Sequence, residues 1–459
     1  MKPNLLFIMT DHQRADSLYM KQDGIAVTPN LNKLASESSM FTRAYNTCPL
    51  CVPGRTALAT GRYPTENGAV FNCWEKEIAN HHKTVHQYFA EEGYTVGQVG
   101  VDQIKVKPQL KSQDFFDEWT DLSDYNDYCT AKEIPYVRNN AYKKKVVENQ
   151  EGVNQTAYYS NAKTGIYPSE INSFKDIYFS HKSVDFIQKT TTPFALFVNL
   201  WAPHPPFLVP EPYASKFNPE TIDLPDNVGV TGRNVPPKRR YGVPAQLANG
   251  VTMEEWQKAW AAHLGLVNLA DYGIGLILDA LKTAGHFDNT IIVFTSDHGD
   301  HLGQHQMFQK MEMFEQAVNV PLMIHHPEAK AQNVNSVVSH LDILPTLLDF
   351  IGINPVDKLS GRSLADTVLH NTPMKEQTVY CQYSGNSTIG DIRRAAITKR
   401  YKYIYTPEDL PELYDLQEDP LEMDNLAGSN KLKELESKLF TETKEWHEQH
   451  GDFINYVDC

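Results

Sequence analysis

Residues 290–300 read TIIVFTSDHGD, a run of β-branched and apolar side chains that breaks at once into Asp297-His298. Two other stretches follow the same plan, since residues 4–12 read NLLFIMTDH and residues 194–204 read FALFVNLWAPH. Continuous apolar runs of this length are typical of strands buried on both faces of a parallel sheet. Ligands of open α/β sheets bind beyond the carboxyl ends of the strands. The three polar ends are therefore predicted to lie together at one edge of the sheet.

Helical segments separate these strands along the chain. Strands that alternate with helices indicate an α/β fold, here a large mixed, mostly parallel sheet sandwiched by helices. Two long polar stretches without periodicity, residues 103–180 and 208–250, are predicted to form loops or small insertions around the sheet edge. The predicted helices cover residues 29–38, 84–92, 252–284 and 341–351.

The texture of the sequence changes after about Pro373. Residues 393–405 read RRAAITKRYKYIY, which alternates as a pair of antiparallel strands does. A short strand over 412–416 and a closing helix over 431–447 are predicted to follow. We therefore divide the chain into a large α/β domain and a smaller C-terminal α+β subdomain with an antiparallel sheet. Their ranges are 1–372 and 373–459.

The composition indicates a folded protein that binds neither nucleic acid nor membrane. Hydrophobic residues make up 41% of the 459 residues, which is enough for a large core. The 42 Lys and Arg residues against 57 Asp and Glu give a net charge of −15, which repels nucleic acid and anionic lipid. Six cysteines in a chain of this length are too few for a disulfide scaffold.

The N-terminus carries only one short apolar run, Leu5 to Met9. This run is too short for the core of a signal peptide with its flanks, and no later stretch is predicted to approach a membrane span. The sequence as written predicts a cytoplasmic protein. A periplasmic or secreted location stays open, because a leader removed beforehand would leave the same sequence.

The sharpest local signal is the segment CVPGRTALATGR at residues 51–62. Its Cys51, Pro53 and Arg55 form a Cys-x-Pro-x-Arg pattern, which resembles the signature of the sulfatase family in the alkaline-phosphatase-like superfamily. The resemblance extends from the first strand to the Asp-Pro segment near residue 420, so it covers nearly the whole chain. It implies an alkaline-phosphatase-like fold and the activity of a sulfuric ester hydrolase.

In that family the cysteine of the motif is oxidised to formylglycine (3-oxoalanine), so the resemblance implies this residue at Cys51 and a formylglycine-generating enzyme as maturation partner. A plain serine would be trapped as a stable sulfated side chain. The hydrated aldehyde has two hydroxyls: one attacks sulfur, and the other loses its proton, expels sulfate and restores the aldehyde. Covalent catalysis of this kind divides one difficult step into two easier ones.

The resemblance also implies one divalent metal, held by Asp11, Asp297 and His298 together with Cys51. Ligands that are mostly oxygen favour Ca²⁺, with Mg²⁺ and Mn²⁺ as alternatives. His12 stands where most sulfatases have a second aspartate. We include it among the metal ligands, through a ring nitrogen, with simple contact to the site as the alternative.

Three further side chains are assigned catalytic roles by the resemblance. Arg55 would hold the hydrate or the sulfate oxygens by charge-assisted hydrogen bonds. His204 lies in a Pro-His-x-Pro-Phe pattern at residues 203–207 and would face the leaving-group oxygen as its acid. Lys310 matches the lysine that pairs with a sulfate oxygen.

The segment after the predicted helix over 84–92 departs from the family pattern. Sulfatases commonly carry Gly-Lys-x-His there, whereas this chain has Val101 and Gln103 in place of the lysine and the histidine. Either Lys105 or Lys107 supplies the missing charge, or the site works with one cation fewer.

Phosphonate monoester hydrolases are relatives that also lack this lysine and histidine. They have an asparagine about twenty residues after the nucleophile, a position that Asn72 matches. Asn72, Gln103 and Lys105 are therefore candidate substrate contacts.

The sequence thus predicts hydrolysis of a sulfate monoester of a small molecule or an oligosaccharide. A sulfated carbohydrate is expected because enzymes of this family commonly act on such compounds. The alternative is a phosphonate monoester or phosphodiester hydrolase with the same machinery, since both ester types are tetrahedral and anionic. A third hypothesis is a non-catalytic binding protein whose cysteine is never oxidised.

Overall fold

The computed structural model describes residues 2–72, 82–135, 140–190 and 193–457. Its strands are β1 (Asn4–Asp11), β2 (Lys21–Gln22), β3 (Ile25–Ala26), β4 (Ser39–Tyr45), β5 (Thr95–Gly100), β6 (Glu118–Thr120), β7 (Lys143–Gln150), β8 (Val153–Ser160), β9 (Thr164–Ile166), β10 (Phe194–Pro203), β11 (Phe207–Val209), β12 (Thr290–Ser296), β13 (Asn319–His325), β14 (Gln332–Val334), β15 (Val338–Ser339), β16 (Val379–Tyr383), β17 (Arg393–Ile397), β18 (Tyr401–Tyr405) and β19 (Glu412–Asp415).

The α-helices of the same ranges are α1 (Pro29–Ala35), α2 (Cys51–Thr60), α3 (Pro64–Asn67), α4 (Val85–Glu91), α5 (Leu122–Ala131), α6 (Lys175–Lys189), α7 (Val243–Ala248), α8 (Met253–Thr283), α9 (Glu315–Val318), α10 (Ile343–Phe350), α11 (Ala365–His370) and α12 (Lys433–Gln449). The four helices predicted from the sequence correspond to α1, α4, α8 and α10.

A mixed sheet of nine strands runs through the protein in the order β14-β4-β13-β12-β1-β10-β5-β6, with β15 also paired to β4. The three strands singled out in the sequence, β1, β10 and β12, are neighbours, and β1 is parallel to the other two. β13 runs antiparallel to both of its partners. The predicted large, mostly parallel sheet is therefore confirmed.

Helices cover both faces of this sheet, because alternate side chains of a strand point to opposite sides. Leu6 of β1 packs with α6 and α8 in one apolar cluster, whereas Leu5 packs with α4 and α10 in another. Contrary to our expectation, α8 is long and apolar enough to cross a membrane by length and composition alone. However, 83% of its most apolar window is buried inside the protein, so it is packed as a core helix.

The stretch 103–180 holds more regular structure than a set of loops. It contains α5 and an antiparallel hairpin of eight-residue strands, β7 and β8. In β7 the side chains of Val146 and Glu148 are buried while those beside them are not, which is the period-two pattern of a strand. The expectation of loops was wrong here, and the alternative of a small insertion describes the hairpin.

The C-terminal part forms a separate antiparallel sheet in the order β16-β17-β18-β19, with α12 packed against β17 and β18. The strand pair predicted over 393–405 is the β17–β18 hairpin, and the predicted closing helix is α12. The sheet begins at Val379. The domain boundary between residues 372 and 373 stays a prediction.

Candidate active site

The polar ends of the three central strands meet, as the sequence suggested. The backbone N–H of His12, just after β1, donates to Oδ1 of Asp297 at 3.3 Å. The rings of His12 and His204, which follow β1 and β10, contact each other edge to face with centroids 4.4 Å apart. His298 approaches His12 from the β12 side, with centroids 4.5 Å apart. Residues nearly 300 positions apart in the sequence thus form one cluster.

Helix α2 carries Cys51 into this cluster as its first residue, and all ten of its residues are buried. Gly54 lets α2 pack closely against the backbone at Cys48 and Asp297. A Cβ at this position would lie 3.0 Å from the carbonyl oxygen of Cys48 and 3.8 Å from that of Asp297. The thiol Sγ lies 3.3 Å from Nε2 of His298 and 3.9 Å from Oδ1 of Asp11. The free N–H groups at a helix N-terminus favour a bound anion.

Arg55 lies one turn further along α2 and bridges two carboxylates. Its Nη2 donates to Oδ2 of Asp11 at 2.8 Å, and its Nε donates to Oδ2 of Asp297 at 2.9 Å. A third donation runs from Nη1 to the carbonyl oxygen of Val101 at 3.3 Å. The guanidinium thus offsets part of the negative charge of the carboxylate pair, and its predicted contact with sulfate oxygens stays a prediction.

Lys310 points directly at the thiol. Its Nζ donates to Sγ of Cys51 at 2.7 Å and to Nε2 of His12 at 2.7 Å. The segment that presents it is irregular, since Gln309 and Met311 on either side have positive φ values of 69° and 81°. Backbone in this sparsely populated region is characteristic of functional sites. The ammonium is thus held beside the position where a nucleophile at residue 51 would act.

The hydrogen bonds of His12 fix its tautomer. Nδ1 lies 2.8 Å from Oδ2 of Asp300 and must donate its proton there, because Lys310 donates to Nε2. Burial and the charge of Lys310 lower the pKa of His12 well below its ordinary value, so the ring is neutral. The Nε2 lone pair therefore faces the site. Asp300 was not among the residues assigned from the sequence, although it lies in the same DHGD segment as Asp297.

His204 is the half-buried member of the cluster. Its Nδ1 donates to the carbonyl oxygen of Pro205, which leaves Nε2 without a proton on a neutral ring. Burial, with the charge of Lys310, lowers its pKa well below the ordinary value. As an acid to the leaving oxygen, His204 would first have to bind a second proton.

The two carboxylates that Arg55 bridges, those of Asp11 and Asp297, have very different pKa values. Burial, and then the charge of Asp297, raises the pKa of Asp11 to about 7. Burial would also raise the pKa of Asp297, but His298, Arg55 and Lys310 hold it at about 2. For Cys51, burial and Asp11 raise the thiol pKa to about 12, so the unmodified side chain is a thiol and not a thiolate.

The predicted metal ligands fit a divalent cation. One ligand atom from each of Asp11, Cys51, Asp297 and His298 lies within 4.8 Å of the others, and all four residues are buried. Burial, and then the charge of Asp297, raises the pKa of Asp11, and a bound cation would favour its ionised form. His12 falls in a second such group with Asp11 and His204.

Asn72 supports the first turn of α2. Its Oδ1 accepts the backbone N–H of Val52 at 3.0 Å, which satisfies one of the free donors of the first turn of α2. Its Nδ2 donates to Oδ1 of Asn386 at 3.0 Å, and the Asn386 amide in turn donates to the hydroxyl of Tyr159. The substrate contact assigned to Asn72 stays a prediction beside this capping role.

The segment that lacks the family lysine and histidine runs beside α2. Val101 offers its carbonyl oxygen to Arg55, and the backbone N–H of Lys105 donates to Oγ1 of Thr56 at 2.9 Å. Burial raises the pKa of Asp102 to about 6, and the positive charge of Lys105 opposes this rise. Within the described residues, Oε1 of Gln103 is buried without a hydrogen-bond partner. Substrate contacts from Gln103 and Lys105 stay predictions.

Comparison with known proteins identifies relatives along the whole chain. A family model described as Sulfatase matches residues 3–353, and one described as N-sulphoglucosamine sulphohydrolase, C-terminal, matches residues 303–449. An arylsulfatase of Clostridium perfringens is 27% identical over 451 residues, which cover 95% of this chain and 92% of the relative. An N-acetylglucosamine-6-O-sulfatase of Bacteroides thetaiotaomicron is 24% identical over 521 residues, covering 98% and 87%.

The fold is similar to that of a phosphonate monoester hydrolase of Agrobacterium radiobacter, with a TM-score of 0.83, 22% identity and coverage of 98% and 96%. Fold similarity at this identity says nothing about the substrate. The Sulfatase model, in contrast, spans about three quarters of the chain and includes both Cys51 and Lys310. The resemblance carried by the Cys-x-Pro-x-Arg pattern is therefore confirmed. The chain belongs to the sulfatase family of sulfuric ester hydrolases, in the alkaline-phosphatase-like superfamily.

Proposed function

We propose that this protein hydrolyses sulfate monoesters to an alcohol and sulfate, with Cys51 in its formylglycine form as the nucleophile. The observation that carries the proposal is the placement of Cys51, whose Sγ accepts a hydrogen bond from Lys310 and faces Asp11 and His298. The ammonium of Lys310, the carboxylate of Asp11 and the side chain at position 51 thus lie together in a buried site.

The four buried residues Asp11, Cys51, Asp297 and His298 would hold the divalent metal. When bound, the metal supplies positive charge that acidifies a hydroxyl and neutralises ester oxygens. We propose Ca²⁺, because oxygen atoms dominate the donor set once position 51 is oxidised. A formylglycine-generating enzyme would be needed to produce that form.

The remaining residues have separate tasks in this proposal. Lys310 donates hydrogen bonds to the oxygen that replaces Sγ of Cys51 and to a sulfate oxygen, where negative charge develops. His204 protonates the leaving oxygen. Its neutral ring must first bind a proton, and the negative charge of the bound ester favours this by raising its pKa.

We propose a sulfated carbohydrate as the substrate. The name of the N-acetylglucosamine-6-O-sulfatase relative supports this choice. The second candidate is a phosphonate monoester or phosphodiester hydrolase. It is favoured by Val101 and Gln103, which stand where sulfatases commonly have a lysine and a histidine.

Turnover of 4-nitrophenyl sulfate and of 4-nitrophenyl phenylphosphonate separates the two candidates, because both release the same leaving group. We expect a higher kcat/KM for the sulfate ester in calcium-loaded protein with formylglycine at position 51. A higher kcat/KM for the phosphonate would replace the proposed function by the second candidate. The Cys51→Ala variant is the control, and it should hydrolyse neither ester.

A further inference from the structure

A cavity of about 350 Å³ opens beside His204. Asp11, His12, Cys51 and Lys310 are all buried, whereas His204 is partly exposed and forms part of the cavity wall. The cavity lies between α5, the first turn of α6 and the end of β10. His204 therefore connects the reacting centre to this cavity, on the side where the leaving oxygen would be protonated.

The wall of the cavity is mostly apolar and rich in rings. Such surfaces bind the flat apolar faces of a ligand ring, and few polar groups are needed to orient it. The volume is within the range of small-molecule sites. The apolar lining includes Leu122, Tyr125, Tyr167, Phe174, Trp201 and Leu208.

Lys175 contributes a positive charge to this wall. Its Nζ lies over the indole of Trp201, 4.5 Å from the ring centroid. Among the described residues, no carboxylate oxygen lies within 4.0 Å of that ammonium, and neighbouring Asp176 accepts the backbone N–H groups of Trp201 and Ala202 instead. Burial lowers the pKa of Lys175. The charges of Asp176 and Asp11 oppose this shift only from beyond ion-pair distance. A partly buried ammonium with no carboxylate in direct contact is costly, and an anionic group on a ligand would relieve that cost.

We propose that this cavity holds the alcohol half of the sulfate ester, and that this half carries a ring and a negative charge of its own, a carboxylate or a second sulfate, which pairs with Lys175. The inference rests on the proposed function, since it names the kind of leaving group that the site accepts. Lys175 is a specificity-determining residue, and it lines the same cavity as His204.

A matched pair of substrates tests the charge preference. 4-Carboxyphenyl sulfate and 4-carbamoylphenyl sulfate have the same shape, but only the first carries a second negative charge. We expect wild-type protein to have the lower KM for the acid, and Lys175→Gln to raise that KM about tenfold while leaving the amide unchanged. Lys189→Gln removes the same charge at the exposed far end of α6 and should change neither KM. Equal effects of Lys175→Gln on both esters would overturn the proposal.

A second measurement does not depend on turnover. Cys129 lines the cavity and is partly exposed, whereas Cys48, Cys51 and Cys381 are buried. We expect 4-hydroxybenzoate to slow the alkylation of Cys129 by iodoacetamide in wild-type protein, but not in Lys175→Gln, with 4-hydroxybenzamide less effective. Unchanged alkylation with 4-hydroxybenzoate would overturn the cavity assignment. Protection of Cys129 in a protein that hydrolyses no sulfate ester would support the cavity assignment and refute the proposed function.

Discussion

Asp300 organises the site through contacts that were not expected from the sequence. One carboxylate oxygen accepts Nδ1–H of His12, and the other accepts the backbone N–H groups of Leu302 and Gln309, each at 3.0 Å. It thereby orients an imidazole of the cluster and also fixes the irregular segment that presents Lys310. A carboxylate behind an imidazole in this way holds its tautomer and raises its basicity.

Replacement of this carboxylate should weaken the metal site without unfolding the protein. In Asp300→Asn the amide can still accept the two backbone N–H groups, but the charged partner of His12 is lost. We expect calcium affinity, measured by calorimetry, to fall roughly 10–100-fold. Asp223→Asn makes the same change at an exposed position and should leave the affinity unaltered. Unchanged affinity in Asp300→Asn would show that His12 needs no such support.

The titration of Asp11 makes the effect of the metal dependent on pH. The unfolded chain releases this proton near 3.8, whereas the folded metal-free protein keeps it until about 7. The metal-free protein is therefore expected to lose stability as the pH rises through this window. A bound cation favours the ionised carboxylate, so the increase in Tm caused by calcium should grow with pH and level off above about 7. A calcium-induced shift of equal size at both ends of the window would contradict this.

For individual residues of the site, the sequence indicated which side chains take part but not which atoms they contact. The motifs led to Cys51, Asp11, Asp297 and Lys310, which do lie together. That Arg55 bridges both carboxylates depends on the approach of α2 to β12, which no local pattern encodes. The histidine tautomers depend likewise on partners that are distant in the sequence.

Among the elements, α2 matters most because its first residue is Cys51. The cap on its first turn comes from Asn72, twenty positions further on, and not from a residue just before the helix. Asn386 of the C-terminal subdomain holds that side chain in place. The start of α2 is thus fixed by two segments that are remote in sequence.

Removal of this cap should cost stability and activity together. For Asn72→Ala we expect the free energy of unfolding, from urea denaturation, to fall by about 1 kcal/mol, because the Val52 N–H loses its acceptor. Sulfatase activity should fall as well, since the helix start is less well fixed. Asn72→Asp keeps an acceptor for Val52 and should retain more stability than Asn72→Ala. If both variants are as stable as wild type, Asn72 does not cap the helix.

The β7–β8 hairpin is an element whose strands were not predicted from the sequence pattern. Its alternation was present in the sequence, with Glu151-Gly152 at the turn, yet mixed polarity concealed it. The hairpin reaches the site, since Gln309 Nε2 donates to the carbonyl oxygen of Ser160 at 2.7 Å. Buried apolar strands such as β12 were recognised because their signal is continuous.

Across the whole molecule, buried ion pairs join the C-terminal sheet to the main domain. Lys402 of β18 is fully buried between Glu315 and Glu422, with Nζ–Oε1 distances of 2.7 and 2.8 Å. Burial raises the pKa of Glu422 to about 7, even though Lys402 opposes this shift. Glu315, which lies shortly after Lys310 in the sequence, is therefore anchored by the C-terminal subdomain.

Loss of the buried cation should destabilise the whole chain. Lys402→Met leaves the buried carboxylate of Glu422 and the partly exposed one of Glu315 without their cation, and we expect the free energy of unfolding to fall by about 3 kcal/mol. Lys399→Met on the same hairpin breaks an exposed pair with Glu376, whose side chains are 60% and 53% exposed, and should cost less than about 1 kcal/mol. Similar losses in the two variants would argue against an anchoring role for Lys402.

The α/β architecture and the C-terminal sheet followed from runs such as 290–295 and from the alternation over 393–405. The joining of the two parts did not, because an ion pair such as Lys402–Glu315 leaves no periodic signal in the sequence. The cavity beside His204 could not be predicted for the same reason, since Tyr125, Lys175 and Trp201 of its wall come from three separate segments.

The central claim is that the side chain at position 51 must be converted from a thiol to an aldehyde before esters are cleaved. The most direct measurement compares the fraction of converted Cys51, from peptide mass, with the kcat for 4-nitrophenyl sulfate in preparations made with and without a formylglycine-generating enzyme. The account predicts a kcat proportional to the converted fraction and close to zero when that fraction vanishes. A preparation containing only the thiol with undiminished turnover would contradict it.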